Sequence, residues 1–92
     1  NEFKLKVSPN PVQQQATITY ELPKSGQVSI QLINMQGQVM ATKNMGFQLK
    51  GYQVQQLNRD LFGGISVTPG QYLLQVRVDN VVRYEKIVMQ QF

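Results

Sequence analysis

Apolar and polar residues alternate along most of this chain. In A-T-I-T-Y-E-L, Ala16, Ile18, Tyr20 and Leu22 take turns with Thr17, Thr19 and Glu21, so the apolar set falls on one face of a β-strand. P-K-S-G (23–26) supplies turn chemistry, and beyond it Val28, Ile30 and Leu32 alternate with Ser29 and Gln31. The two runs are therefore expected to pair antiparallel. N-M-Q-G, Asn34 to Gly37, closes the second run, with glycine free to take a positive φ. Weaker strand patterns run from Val39 to Met45 and from Tyr52 to Leu57, bounded by Gly46 and Gly51. The segment N-R-D-L-F-G-G-I-S-V-T-P-G (58–70) has punctuation and no period, which predicts a long crossover with Leu61 or Phe62 plugging the core. Q-Y-L-L-Q-V-R-V sets Tyr72, Leu74, Val76 and Val78 against Leu73, Gln75, Arg77 and Asp79. Asp79-Asn80 is a hairpin signal, and V-V-R-Y-E-K-I-V-M is the last strand.

Near the start, S-P-N-P (8–11) separates F-K-L-K-V from the alternating run. Its prolines fix φ, remove two backbone donors and drive Ser8 and Asn10 towards extended conformations. The joint is expected to end the first strand and give a stiff entry to the next. No segment sustains a 3.6-residue period with caps at both ends. The count is about seven strands in 92 residues, which predicts an all-β fold, a small immunoglobulin-like antiparallel β-sandwich. Residues 1–92 are read as a single domain, with 1–6 either a linker remnant or the first strand.

Composition narrows the functional classes. Charged residues make up 15% of the chain, below the roughly 25% of an average soluble domain. Fifteen glutamines, in short groups such as 13–15, supply the missing polarity. The net charge of +4 comes from lysines and arginines scattered singly, without a run of three; a nucleic-acid footprint needs clustering in space, which the order of residues in a β fold does not display. Neither cysteine nor histidine occurs, which removes disulfides, thiol nucleophiles and imidazole or thiolate metal sites. No run approaches the roughly 20 apolar residues of a membrane-spanning helix. The N-E-F-K-L-K start lacks signal-peptide organisation, so the chain reads as a domain excised from a longer protein.

Catalysis would need a base, and the candidates are Glu2, Glu21, Asp60, Asp79 and Glu85. Glu21 and Glu85 fall on outward strand faces, Asp79 in a hairpin and Glu2 at a terminus. Asp60 alone sits in a loop suited to shaping a pocket, and its simpler role is to bond local backbone. The reading is a chain with no catalytic residue, no cofactor and no metal. Among the aromatic residues, Tyr20 and Tyr72 fall on buried faces with their hydroxyls at the edge, and Tyr84 is the best candidate for exposure. Tryptophan, the strongest sugar-stacking side chain, is absent.

Taken in order, V-S-P-N-P, L-I-N-M-Q-G, N-R-D-L, P-G-Q-Y-L-L-Q-V and Y-E-K-I-V-M resemble the C-terminal sorting domain of proteins exported by the type IX secretion system of Bacteroidetes. The likeness runs from about Val7 to Gln90. It implies a non-catalytic β-sandwich that addresses a fused N-terminal cargo through the periplasm to the cell surface or the extracellular space. The partners implied are the outer-membrane translocon, shuttle proteins and a sortase-like cysteine peptidase that removes the domain. The family's motif residues fall on Pro9, Asn10, Pro11, Gly37, Pro69, Gly70 and Tyr72, and its late lysine strand on Lys86, Ile87 and Val88 as candidate recognition residues. Asn34 stands where the family usually has aspartate, and F-G-G-I-S-V (62–67) resembles an insertion.

Lys86, between Tyr84 and Val88, is placed by period on an apolar face. Either its ammonium reaches water along that face, or the last strand is an open edge that extends a receptor's sheet. The competing function is a fibronectin- or carbohydrate-binding-like accessory module of a secreted enzyme.

Overall fold

A computed structural model describes residues 3–91 of the chain. It contains seven strands, β1 (Leu5–Gln13), β2 (Gln15–Leu22), β3 (Gly26–Asn34), β4 (Val39–Gln48), β5 (Gly51–Leu57), β6 (Gly70–Val78) and β7 (Val81–Gln91). Their hydrogen-bonded order is β4-β3-β6-β7-β1-β2-β5. The order is continuous because β1 belongs to both layers of a sandwich. Its first half, Leu5 to Ser8, pairs antiparallel with β2, while Val12 and Gln13 pair parallel with Met89 and Gln91 of β7. Every other pairing is antiparallel.

This corrects the expectation for S-P-N-P. The prolines do not end the first strand. They lie inside β1, where it leaves one layer and joins the other, and Ser8, Pro9, Asn10 and Pro11 are all exposed. Val7 fills the core from one layer and Val12 from the other. Both proline peptide bonds, Ser8–Pro9 and Asn10–Pro11, are cis.

The expected pairing of β2 with β3 is also corrected. β2 lies between β1 and β5, and β3 between β4 and β6. The link 23–25 crosses between layers, and the Ser25 hydroxyl accepts the Lys50 N–H at 2.7 Å. The alternating faces therefore meet across the core: Ile18, Tyr20 and Leu22 on one side, Val28, Ile30, Leu32, Leu74 and Val76 on the other. Fully burying each such aliphatic side chain stabilises the fold by about 1.5–3 kcal/mol.

The irregular parts have local causes. β4 runs three residues past its expected end because Gly46, at φ +78°, absorbs a break in register opposite Val28 and Ser29. Between β5 and β6, Arg59–Phe62 forms a 3₁₀ turn capped by Asn58, whose Oδ1 accepts the Leu61 N–H at 3.0 Å. Leu61 and Phe62 both enter the core. The apparent insertion is tied down as well. The Arg59 side chain donates to the carbonyls of Ile65 and Gly64, and Ile65 and Val67 pack against the core.

Tyr20 joins the layers, since its hydroxyl donates to Gln48 Oε1 of β4 at 2.7 Å. Burial pushes its phenol above the usual value. The folded chain thus keeps a proton that the unfolded chain releases near pH 10, so this contribution to stability falls as pH rises through that region. Tyr20→Phe should shrink the loss of unfolding free energy between about pH 9 and about pH 11. Equal losses in the two proteins would contradict this account.

Candidate functional site

The motif residues are distant in sequence and converge in space. Asn34 stands opposite Tyr72, Tyr72 stands opposite Ile87, and Ile87 is flanked by the backbone groups that hold Asn10. The Asn10 side chain donates from Nδ2 to the Lys86 carbonyl at 3.1 Å, and its Oδ1 accepts the Val88 N–H at 2.9 Å. An amide side chain here does what a strand residue's peptide groups would do beside Ile87. Pro9 and Pro11 have no N–H to offer, and the asparagine between them closes the gap.

The other motif residues build the same end of the sheet. The N-M-Q-G turn is organised by Asn34, whose Oδ1 accepts the N–H groups of Gln36 at 3.0 Å and Gln38 at 2.9 Å. The Gly37 N–H returns to the Asn34 carbonyl at 3.0 Å, and Gly37 takes φ +87°, which a side chain would oppose. An aspartate at 34 would accept both N–H groups equally well. In P-G-Q-Y, Gly70 opens β6 opposite Met89. Tyr72 is buried, and its hydroxyl donates to the Thr68 carbonyl at 2.6 Å. This is a tyrosine corner, the device that fixes the entry to an equivalent strand in immunoglobulin-like sandwiches.

The late lysine strand has its faces the other way round from the periodic reading. Ile87 and Met89 point into the core, and Glu85 shares their side, half-buried opposite Leu74. Glu85 is therefore not on the outward face. Tyr84, Lys86 and Val88 face outward, where Tyr84 is 52% exposed and Lys86 is exposed. Among the described residues no charge is buried, Lys86 makes no ion pair, and the one salt bridge joins Lys24 to Asp79. Nor is β7 an edge strand. It lies between β6 and β1, so the idea that its free backbone extends a receptor's sheet is set aside.

On the outward face a row runs from Lys86 through Leu73 and Ile33 to Val39, each residue opposite the next. Val39 is half-exposed, Leu73 is partly covered and Ile33 is nearly covered. Such a strip, with a cation at one end, suits an apolar partner surface that carries a negative group. The sequence gives no signal of the row, because its members come from four strands whose order cannot be read from period.

The remaining candidates are dispersed. Asp79 accepts the Gln27 N–H at 3.2 Å and pairs with Lys24 at 3.4 Å. It leaves no room for a side chain at Gly26, where a Cβ would come within 2.5 Å of its Oδ2. Asp60 is exposed in the 3₁₀ turn. Glu2 lies outside the described residues. No group of three or more metal-ligating side chains occurs among the described residues. An open groove of about 640 Å³ lies beside β1 and β2, lined among others by Lys4, Lys6, Glu21, Tyr52 and Glu85. Tyr52, 68% exposed, is an aromatic surface that the weak pattern of β5 did not single out.

A family model described as a secretion system C-terminal sorting domain matches residues 6–90. No curated protein matches the chain.

Proposed function

The chain belongs to the family of secretion system C-terminal sorting domains, and from that membership we propose that it is the non-catalytic export address of a fused cargo, read at the outward face of β7. The membership implies a cargo, the type IX machinery as partner, and delivery to the cell surface or extracellular space. The finer steps proposed are recognition by the outer-membrane translocon and shuttle proteins, removal of the domain by a sortase-like cysteine peptidase, and attachment of the cargo to the surface.

One observation supports this reading above the others: one residue from each of P-N-P, N-M-Q-G, P-G-Q-Y and K-I-V, namely Asn10, Asn34, Tyr72 and Ile87, falls in a single transverse row at one end of the sheet. In and beside that row the roles divide by exposure. Tyr72 and Ile87 are buried and hold the shape, while Pro9, Pro11, Lys86 and, in part, Val88 meet solvent and are the residues open to a receptor.

The test is a reporter carrying a cleavable signal peptide and ending in this chain, expressed in a bacterium with type IX machinery. The reporter should appear at the surface or in the medium. Its accumulation in the periplasm, with the domain folded, would refute the reading.

A further inference from the structure

The strands at the two ends of the hydrogen-bonded order, β4 and β5, present very different edges. β4 carries Lys43 and breaks register with β3 at two places, devices that keep an edge from templating another strand. β5 has neither. It runs in unbroken register with β2 from Leu57 to Gly51, and it contains no charged residue and no proline. On its far side it makes no backbone–backbone bond among the described residues. One of its carbonyls, that of Gln56, is met by the strand's own Gln55 side chain at 3.0 Å, a bond that an incoming N–H would replace. Tyr52 and Val54 stand 68% and 57% exposed on the outward face.

We propose that β5 pairs antiparallel with β5 of a second copy of this chain, about a two-fold axis at Val54. The occupant is argued from the strand's own sequence. Y-Q-V-Q-Q (52–56) is close to self-complementary when reversed. Val54 meets its own copy and Gln53 meets Gln55, like groups facing like, while Tyr52 meets Gln56, whose amide can lie along the ring. A chain with net charge +4 repels its copies, and this edge places no like charges together. An antiparallel self-pair is isologous and closes at two. It joins two three-stranded layers, β1-β2-β5, into one of six strands. The inference is independent of the export reading, because it concerns the chain alone.

One strand pair buries less than the about 800 Å² per partner of stable complexes, so the dissociation constant should be on the order of 0.1 mM. Sedimentation equilibrium across that range should show a monomer–dimer transition. Val54→Lys, which sets two ammonium groups opposite each other, should weaken the dimer at least about tenfold, as should Val54→Glu. An equimolar mixture of the two variants should associate again as a heterodimer, a recovery that only folded chains pairing at position 54 can give. A wild-type chain still monomeric at about 1 mM would overturn the proposal, as would a mixture no more associated than either variant alone. A monomeric wild type whose Val54→Lys variant fails to deliver a fused reporter would assign the edge to a strand of the export machinery, and that too would overturn self-pairing.

Discussion

Ile87→Ala should lower the unfolding free energy by about 2–5 kcal/mol, the usual cost of emptying a buried aliphatic site, whereas Lys86→Ala one residue away should change it by no more than about 0.5 kcal/mol. Ile87 is fully buried opposite Tyr72, and Lys86 is exposed on the outward face. The neighbours thus separate the two ways of losing export. The isoleucine variant should fail because the domain no longer holds its shape, and the lysine variant should be delivered poorly while its denaturation midpoint stays in place. Denaturant unfolding alongside a reporter assay decides both points. A midpoint for Ile87→Ala within error of the wild type would contradict the packing described, and full delivery of Lys86→Ala would remove the lysine from the recognition surface.

Asn10→Ala should cost about 1–3 kcal/mol, towards the lower end because the two hydrogen bonds lost are near solvent. Its amide is the link between β1 and β7 beside Ile87, and the prolines on either side leave no nearby donor to replace it. The specific readout is the Val88 amide, which should exchange slowly with solvent in the wild type and markedly faster in the variant. Protection unchanged at Val88 would show that the bond to Asn10 Oδ1 does not hold that segment. Asn10 is exposed and sits between two prolines, so purely local rules assign it to a spacer; its structural role becomes visible only with its partner strand, 76 residues further on.

What was legible in the sequence follows the same division between local and distant causes. The buried faces of β2 and β6 were readable because one side of each strand is consistently apolar. In V-V-R-Y-E-K-I-V-M both sides carry apolar residues, and pairing with Tyr72 decides that Ile87 turns inward. P-K-S-G announces a reversal of direction but not whether the chain returns within its layer, so β2 and β3 were expected as neighbours and lie in opposite layers. The crossover was expected to use Leu61 or Phe62 and uses both, because a one-turn 3₁₀ helix capped by Asn58 presents adjacent residues to the core. The motif residues could each be read as a turn or stiffener. The gathering of one from each motif into a row depends on strand order, which local chemistry does not encode.

The crossing of β1 between layers also determines how the molecule bears load. β1 and β7 run parallel, so the start of the one and the finish of the other lie at opposite ends of a body about 33 Å long. A pull applied between Leu5 and Gln91 therefore acts along the strands. It loads the β1–β2 ladder, the Val12–Met89 pairing and the Asn10 bridge together in shear, instead of opening them one after another as in a zipper. Forced unfolding is governed by the rate of crossing the unfolding barrier. A domain strained through its first strand resists with bonds from both layers at once.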